Sequence, residues 1–216
     1  MTVQTLQEIA LSAEVDFGAH GALGPISSLT PAVYHALATA FLHVAAPHAS
    51  TIVLGHDARE SSPALAAGCA AAIQDQGLQL VYGGALPTPA LALYGAQTGA
   101  AVVVVTGGDA PNDYNGLRFF RDDGALSPAD VTAMQAHLVG LPTGLTPQAL
   151  PAPLPAVGAA YVARYVDFWG AEALSTTTVA LYGHHGVGLD SLHTVLQALG
   201  ATVLPMEPHS AAAHQL

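Results

Sequence analysis

The stretch AVVVVTGGDAPNDYNGLRFF, Ala101 to Phe120, decides how this chain folds. Ala101–Val105 is an apolar β-branched run too short for a helix, Thr106–Gly116 is rich in glycine and asparagine, and Leu117–Phe120 is apolar again. That order predicts a strand, a loop and a second strand. Upstream, Thr30 as N-cap and Pro31 in the first turn open a helix reaching Ala46, and Thr51–Leu54 reads as a short buried strand. Ser62-Pro63 starts a helix to about Gln76 that Gly77 ends. Leu78–Tyr82 reads as a strand and Thr88–Thr98 as a helix opened by Thr-Pro. Downstream, a helix spans Ser127 to about Leu138. Alternating helices and strands predict an α/β fold, a layered mixed sheet with helices on both faces, closed by the Leu117–Phe120 strand.

Leu141–Val157, LPTGLTPQALPAPLPAV, holds five prolines and excludes regular helix or central strand. It divides the chain into a first domain, residues 1–140, a Pro-rich linker, 141–157, and a second segment, 158–216. That segment reads as a helix Gly158–Trp169, a strand Thr177–Tyr182, a helix Leu189–Leu199 and a strand Thr202–Met206. It is a partial βαβ domain followed by an aperiodic tail, EPHSAAAHQL, expected to fray. One βαβ unit buries little and leaves strand edges unpaired, so it is expected to pack on the first domain or to pair with another chain, as a homodimer or with a partner.

With 216 residues, 51% apolar and 9% charged, the chain is able to bury a core. No apolar run approaches membrane-spanning length, and the start, MTVQTLQEIALSAEVDFG, has no basic region before a long apolar stretch. No signal peptide and no membrane partner are expected, and the cytoplasm is the expected location. The chain has no lysine; Arg59, Arg118, Arg121 and Arg164 are its only permanent cations, and the formal net charge is −11. Such a surface repels phosphate backbones, which excludes nucleic acid as a partner. The single cysteine, Cys69, lies in an Ala-rich helix and reads as a small buried residue. Among the eleven histidines His184-His185 invites a metal reading, but neighbours in sequence point to different sides and no spaced His or Cys partner supports zinc. No phosphate-binding glycine fingerprint for nucleotides is present.

The loop Thr106–Gly116 resembles the phosphoserine loop of the α-D-phosphohexomutases, the phosphomannomutase and phosphoglucomutase family, whose pattern is T-A-S-H-N-P followed shortly by N-G. Thr106, Pro111, Asn115 and Gly116 match. Val53–Pro63, VLGHDARESSP, is similar to the family's strand-end G-x-D-x-R with a following S-S-P, and Gly83–Pro89, GGALPTP, to its G-x-x-P-T-P turn. Phe17–Gly24, FGAHGALG, resembles the N-terminal F-G-T-[DS]-G-x-R-G, and Gly183–Gly188, GHHGVG, the H-G-x-G turn of the second domain. The ordered set covers most of the chain and implies the first domain and part of the second of a four-domain fold.

In that family a phosphorylated serine passes its phosphoryl group to a sugar monophosphate, with Mg²⁺ held by a D-x-D-x-D-R loop. Here the serine position is Gly108, and no D-x-D-x-D-R stretch occurs. The family's N-terminal arginine is Leu23, its neighbours are Ala19 and His20, and the loop's His-Asn are Asp109 and Ala110. Substitution strikes the chemical positions and spares Pro111, Asn115, Gly116, Asp57, Arg59 and the TP turn, whose backbone-shaping roles survive without catalysis. No catalytic residue, metal or cofactor is therefore expected for the isolated chain, and Thr106 and Asp109 are poor substitute nucleophiles without a metal loop. Asp109 reads as an Asx-type loop residue. The ligand-loop candidates are Thr106, Gly107, Gly108, Asp109, Asn115, Arg118 and Arg59. Arg59 either holds an anion or pairs with Asp57 or Glu60; Arg118 is either a ligand contact or a solvated strand residue. The expectation is a catalytically inactive, mutase-like protein of carbohydrate metabolism with a regulatory, hexose-phosphate-binding or assembly role. The alternative is part of an active phosphohexomutase, an intramolecular phosphotransferase, completed by another chain.

Overall fold

The computed structural model describes residues 2–19, 21–145, 149–183 and 186–206. The tail, His20 and the His184-His185 pair, on which expectations were placed above, lie outside the described residues. In chain order the first unit contains β1 (Thr2–Thr5), α1 (Leu6–Ser12), β2 (Asp16–Gly18), β3 (Gly21–Pro25), α2 (Pro31–Val44), β4 (Thr51–His56) and α3 (Ser62–Asp75). It continues with β5 (Gln79–Ala85), α4 (Thr88–Thr98), β6 (Ala101–Val105), β7 (Tyr114–Arg121), β8 (Gly124–Ala125), α5 (Pro128–Ala136) and β9 (Leu138–Leu141). The second comprises α6 (Pro155–Trp169), β10 (Thr178–Tyr182), α7 (Leu189–Ala198) and β11 (Thr202–Met206).

The main sheet has the order β2-β3-β7-β6-β4-β5, with β8 on β7. β4 is parallel to β5 and β6, while β7 runs antiparallel to both β6 and β3. β7 is thus internal, correcting the expectation that Leu117–Phe120 closes the sheet; the β2–β3 hairpin does so. Alternation along β6 sorts the layers, because successive side chains leave a strand on opposite faces. Ala101, Val103 and Val105 join the core beneath α1, α2, α3 and α5, whereas Val102 and Val104 pack with Leu91 of α4 and Val157 of α6. Phe41 of α2 stacks on Phe119 of β7 with ring centroids 4.8 Å apart, pinning the larger helical layer to the sheet.

The helix starts follow their caps. The Thr30 side chain accepts from Val33 N and Ser127 accepts from Asp130 N, both ahead of a proline in the first turn. α5 stops at Ala136 because His137 takes an extended conformation, φ −68° and ψ 134°, and the chain turns into β9. β9 pairs antiparallel with β1, so this strand crosses the boundary expected after residue 140. α6 begins at Pro155, inside the expected linker, where a proline at the first helical position costs no hydrogen bond. Its Val157 is buried against the first unit.

α2 and α3 approach closely at Gly68, where a Cβ would press into the backbone of Pro31. Alanine gains about 1 kcal/mol of helix propensity over glycine, but forcing two packed helices apart costs about 1–3 kcal/mol. Gly68→Ala is therefore expected to lower the urea midpoint, the overlap outweighing the propensity. A second check uses the His43–His137 hydrogen bond (3.1 Å), which joins the ends of α2 and α5 while His43 also meets Gln76 Oε1 at 3.0 Å. Burial first, and the neighbouring His43 second, hold the His137 pKa below the usual histidine value. A depressed histidine pKa means stability is complete above the unfolded-state value and declines as pH falls through it toward the folded one. Thermal melts are expected to drop below about pH 6.5, less steeply in His137→Gln.

Candidate functional site

The loop after β6 is held by a single carboxylate. Asp57 follows β4, its N–H bonded to Val105 O at 2.9 Å. Its Oδ1 accepts from Arg59 N (3.0 Å) and from the Ser62 hydroxyl (2.6 Å), and its Oδ2 accepts from Gly107 N (3.1 Å). Arg59 Nε lies 3.3 Å from the same Oδ2. One side chain thereby joins the end of β4, the start of α3 and the turn after β6.

Arg59 completes the cross-link. Its Nη1 donates to Pro111 O (2.8 Å) and Tyr114 O (3.2 Å), and its Nη2 to Gly108 O (3.0 Å) and Ala110 O (2.6 Å). With Nε on Asp57, every nitrogen of the guanidinium is engaged, and the side chain is only 14% exposed. Of the alternatives left open by the sequence, Arg59 takes the Asp57 pairing, and its planar fork matches a ring of carbonyls better than a point charge would.

Asn115 is also spent on architecture. It is fully buried, its Nδ2 donates to the hydroxyls of Ser61 (2.7 Å) and Ser62 (2.9 Å), and its Oδ1 accepts from Gly116 N at 2.8 Å. Thr106 accepts from Gly108 N at 3.1 Å, so the side-chain turn in this loop is made by a hydroxyl. Asp109, expected to make it, is exposed, and among the described residues its carboxylate makes no hydrogen bond.

Gly108 and Arg118 differ from these. Gly108 has φ +56°, a left-handed conformation that glycine adopts freely. A Cβ built on it would stand 3.6 Å from Arg118 Nη2 and meet nothing else within 4 Å. Arg118 projects from β7 between buried Leu117 and Phe119, is itself exposed, and its side chain makes no hydrogen bond or ion pair among the described residues. A small pocket of about 60 Å³ lies here, with Leu23 of β3 on its wall where the family has arginine. Beside it a cleft of about 390 Å³ runs between Asp57, Arg59, Thr106 and Asp109 on one side and Gly186 and Val187 of the second unit on the other.

The family of this chain is fixed by comparison with known proteins. Residues 14–137 match the family model described as phosphoglucomutase/phosphomannomutase, alpha/beta/alpha domain I. The chain belongs to the phosphoglucomutase/phosphomannomutase family. It is 34% identical over 195 residues to a phosphomannomutase of Salmonella muenchen and 35% identical over 201 residues to one of Sinorhizobium fredii. Those alignments cover 89% and 88% of this chain but only 40% and 42% of the relatives, so the chain spans well under half their length. A solved phosphomannomutase-type structure from Thermus thermophilus superposes with a TM-score of 0.77 at 25% identity, covering 92% of this chain and 47% of that one.

Within this phosphohexomutase fold, His35, His43, His56 and His137 are used structurally. His35 meets Asp75 at 2.9 Å, and His56 lies between Asp57 O and the Tyr82 hydroxyl at 2.7 Å each. Among the described residues no group of three or more His, Cys, Asp or Glu is placed to hold a metal. No helix among them is long and apolar enough to cross a membrane. Cys69 is fully buried, and burial pushes its thiol pKa up, away from reactivity. The residues that the candidate set overlooked are Asp57, Ser61 and Ser62; the S-S-P run and the strand-end aspartate were their signal.

The two arginines are expected to separate in mutants. Arg59→Ala strands the largely buried Asp57 carboxylate and four carbonyls, and is expected to cost about 3 kcal/mol in denaturant unfolding. Arg118→Ala removes an unpaired exposed cation and is expected to stay within about 0.5 kcal/mol of the parent.

Proposed function

We propose that this chain keeps the phosphohexomutase scaffold without the mutase reaction, and that it binds a hexose phosphate beside Arg118 in a regulatory role in the cytoplasm. The observation that carries the reading is Gly108, where the family nucleophile would stand and there is no hydroxyl. Phosphoryl transfer needs an oxygen in line with phosphorus, and a divalent ion with cations over the equatorial oxygens. Gly108 supplies no oxygen, and the Asp109 carboxylate beside the cleft repels a phosphate.

Arg118 supports the binding half, as an unengaged guanidinium beside a glycine-bearing turn is a phosphate partner. The net charge of −11 opposes a dianion, although exposed charges are screened beyond about 10 Å at 0.1 M salt. The balance favours weak binding, with a dissociation constant of about 1 mM, or −4 kcal/mol. A second reading rests on the share of the relatives that is covered: an active phosphohexomutase whose remaining machinery comes from further polypeptide.

Titration calorimetry with hexose 1- and 6-phosphates is expected to give heat that Arg118→Ala abolishes; heat equal to buffer rejects binding. A coupled mutase assay with Mg²⁺ and a hexose bisphosphate is expected to show no turnover. Turnover, or a phosphopeptide containing Thr106 or Asp109, would establish the second reading. Gly108→Ser restores a hydroxyl beside Arg118 at a cost of about 1 kcal/mol for the left-handed backbone, and is still expected to show no turnover with these 216 residues, which contain no D-x-D-x-D-R run.

A further inference from the structure

His43 and His137 meet at the end of the first unit opposite the Gly108 loop. β4 finishes at His56, where Asp57 takes up that loop, whereas His43 and Gln76 stand ahead of the strand starts at Thr51 and Gln79. Both histidine backbones are pinned. His43 lies in the last turn of α2 beside buried Leu42, and His137 donates its N–H to Met134 O (3.1 Å) while its carbonyl accepts from Leu6 N (2.9 Å). The two rings, 94 residues apart in sequence, cross edge to face with centroids 5.3 Å apart and His43 Nδ1 3.1 Å from His137 Nε2.

A neutral imidazole has one N–H and one lone pair. Gln76 Oε1 only accepts, so His43 carries its proton on Nε2, 3.0 Å from that oxygen, and turns the Nδ1 lone pair toward His137. His137 answers with its own Nε2–H. Two imidazole nitrogens therefore face each other with a single proton between them. His43 already has its far nitrogen tied to a carbonyl oxygen, the outer contact that orients metal-ligating histidines.

The spacing suits an ion. Two nitrogens each about 2.0–2.1 Å from one zinc ion stand about 2.9 Å apart at a right angle and about 3.3 Å apart at the tetrahedral angle, and the observed 3.1 Å lies between these. Each lone pair has to swing roughly 40° off the line joining the nitrogens to reach such an ion. His43 is exposed, and a cavity of about 280 Å³ bordered by His43, Gln76 and Leu42 gives room for that turn and for water on the ion. A net charge of −11 with no lysine draws cations to this surface.

We propose that His43 Nδ1 and His137 Nε2 bind a divalent transition-metal ion of the class that takes imidazole, such as zinc, with Gln76 holding the His43 ring and water completing the shell. To ligate, His137 releases its Nε2 proton to water and takes one up at Nδ1, so the ring stays neutral. The ion then clips the end of α2 to the end of α5. No third His, Cys, Asp or Glu joins the pair among the described residues, which sets the dissociation constant at about 10 μM. The inference is independent of whether the Gly108 loop binds a ligand.

Titration calorimetry of the 216-residue chain with zinc chloride, at about pH 7.5 where histidine is neutral, tests it. One ion per chain is expected, and His43→Asn and His137→Gln are each expected to weaken its binding about tenfold or more. The asparagine amide stands near the place of Nδ1 and the glutamine amide near that of Nε2, so each variant keeps a hydrogen-bonding group without an imidazole. Circular dichroism in the absence of zinc is expected to be unchanged. If either variant disturbs the fold, nitrogen-15 resonances of the parent decide: His43 Nδ1 and His137 Nε2 are expected to shift together at one equivalent of zinc. No heat with the parent overturns the inference. So does binding that survives in either variant, which assigns the ion to others of the eleven histidines, or a shift confined to one of the two rings.

Discussion

The Asp57 carboxylate and the Arg59 guanidinium carry the candidate site between them. Asp57 gathers a strand end, a helix start and a turn, and Arg59 closes the same turn from the far side through four carbonyls. Each ion compensates the burial of the other, and each satisfies backbone groups that a loop of this shape would leave unpaired. The pair is local in sequence and long-range in effect: residues two apart fix a loop about fifty positions away. Remove the turn and Arg59 loses its four carbonyls and Asp57 the Gly107 N–H; remove either ion and the turn loses bonds that fix its course.

That economy explains how the loop keeps its course with a glycine at position 108. Ser61, Ser62 and Asn115 form a closed set of hydrogen bonds behind the loop, and none of them reaches the cleft. Asp57, Arg59 and Thr106 both shape the turn and line the cleft, whereas the Asp109 side chain lines the cleft without holding the turn. The side chains at positions 23, 108 and 109 hold none of these bonds, so the turn does not depend on them.

The main elements were legible because their signals are local. Thr88–Thr98, Ala101–Val105 and Thr202–Met206 have the bounds that their caps and apolar runs predict. The N-terminal elements were missed although Thr5 and Glu8 form a capping box, since T-x-x-E there precedes only a seven-residue helix. The β3–β7 and β1–β9 pairs join strands on the order of a hundred residues apart, and no local period reveals them. At the site, the G-x-D-x-R and N-G patterns gave the positions. They did not give the direction of Asn115, which turns inward to α3, nor the exhaustion of Arg59, because both are set by where two distant loops meet.

The second unit shows the same limit from the other side. A two-stranded parallel sheet is the least self-sufficient piece of the fold, since parallel strands gain stability from layers on both faces and from neighbours on both edges. α7 and α6 supply one layer, and Val157 anchors the start of α6 in the larger body. The first unit keeps its shape because its core is closed between two helical layers. The second is anchored through Val157, which shares an apolar cluster with Leu91, Val102 and Val104 of the first unit.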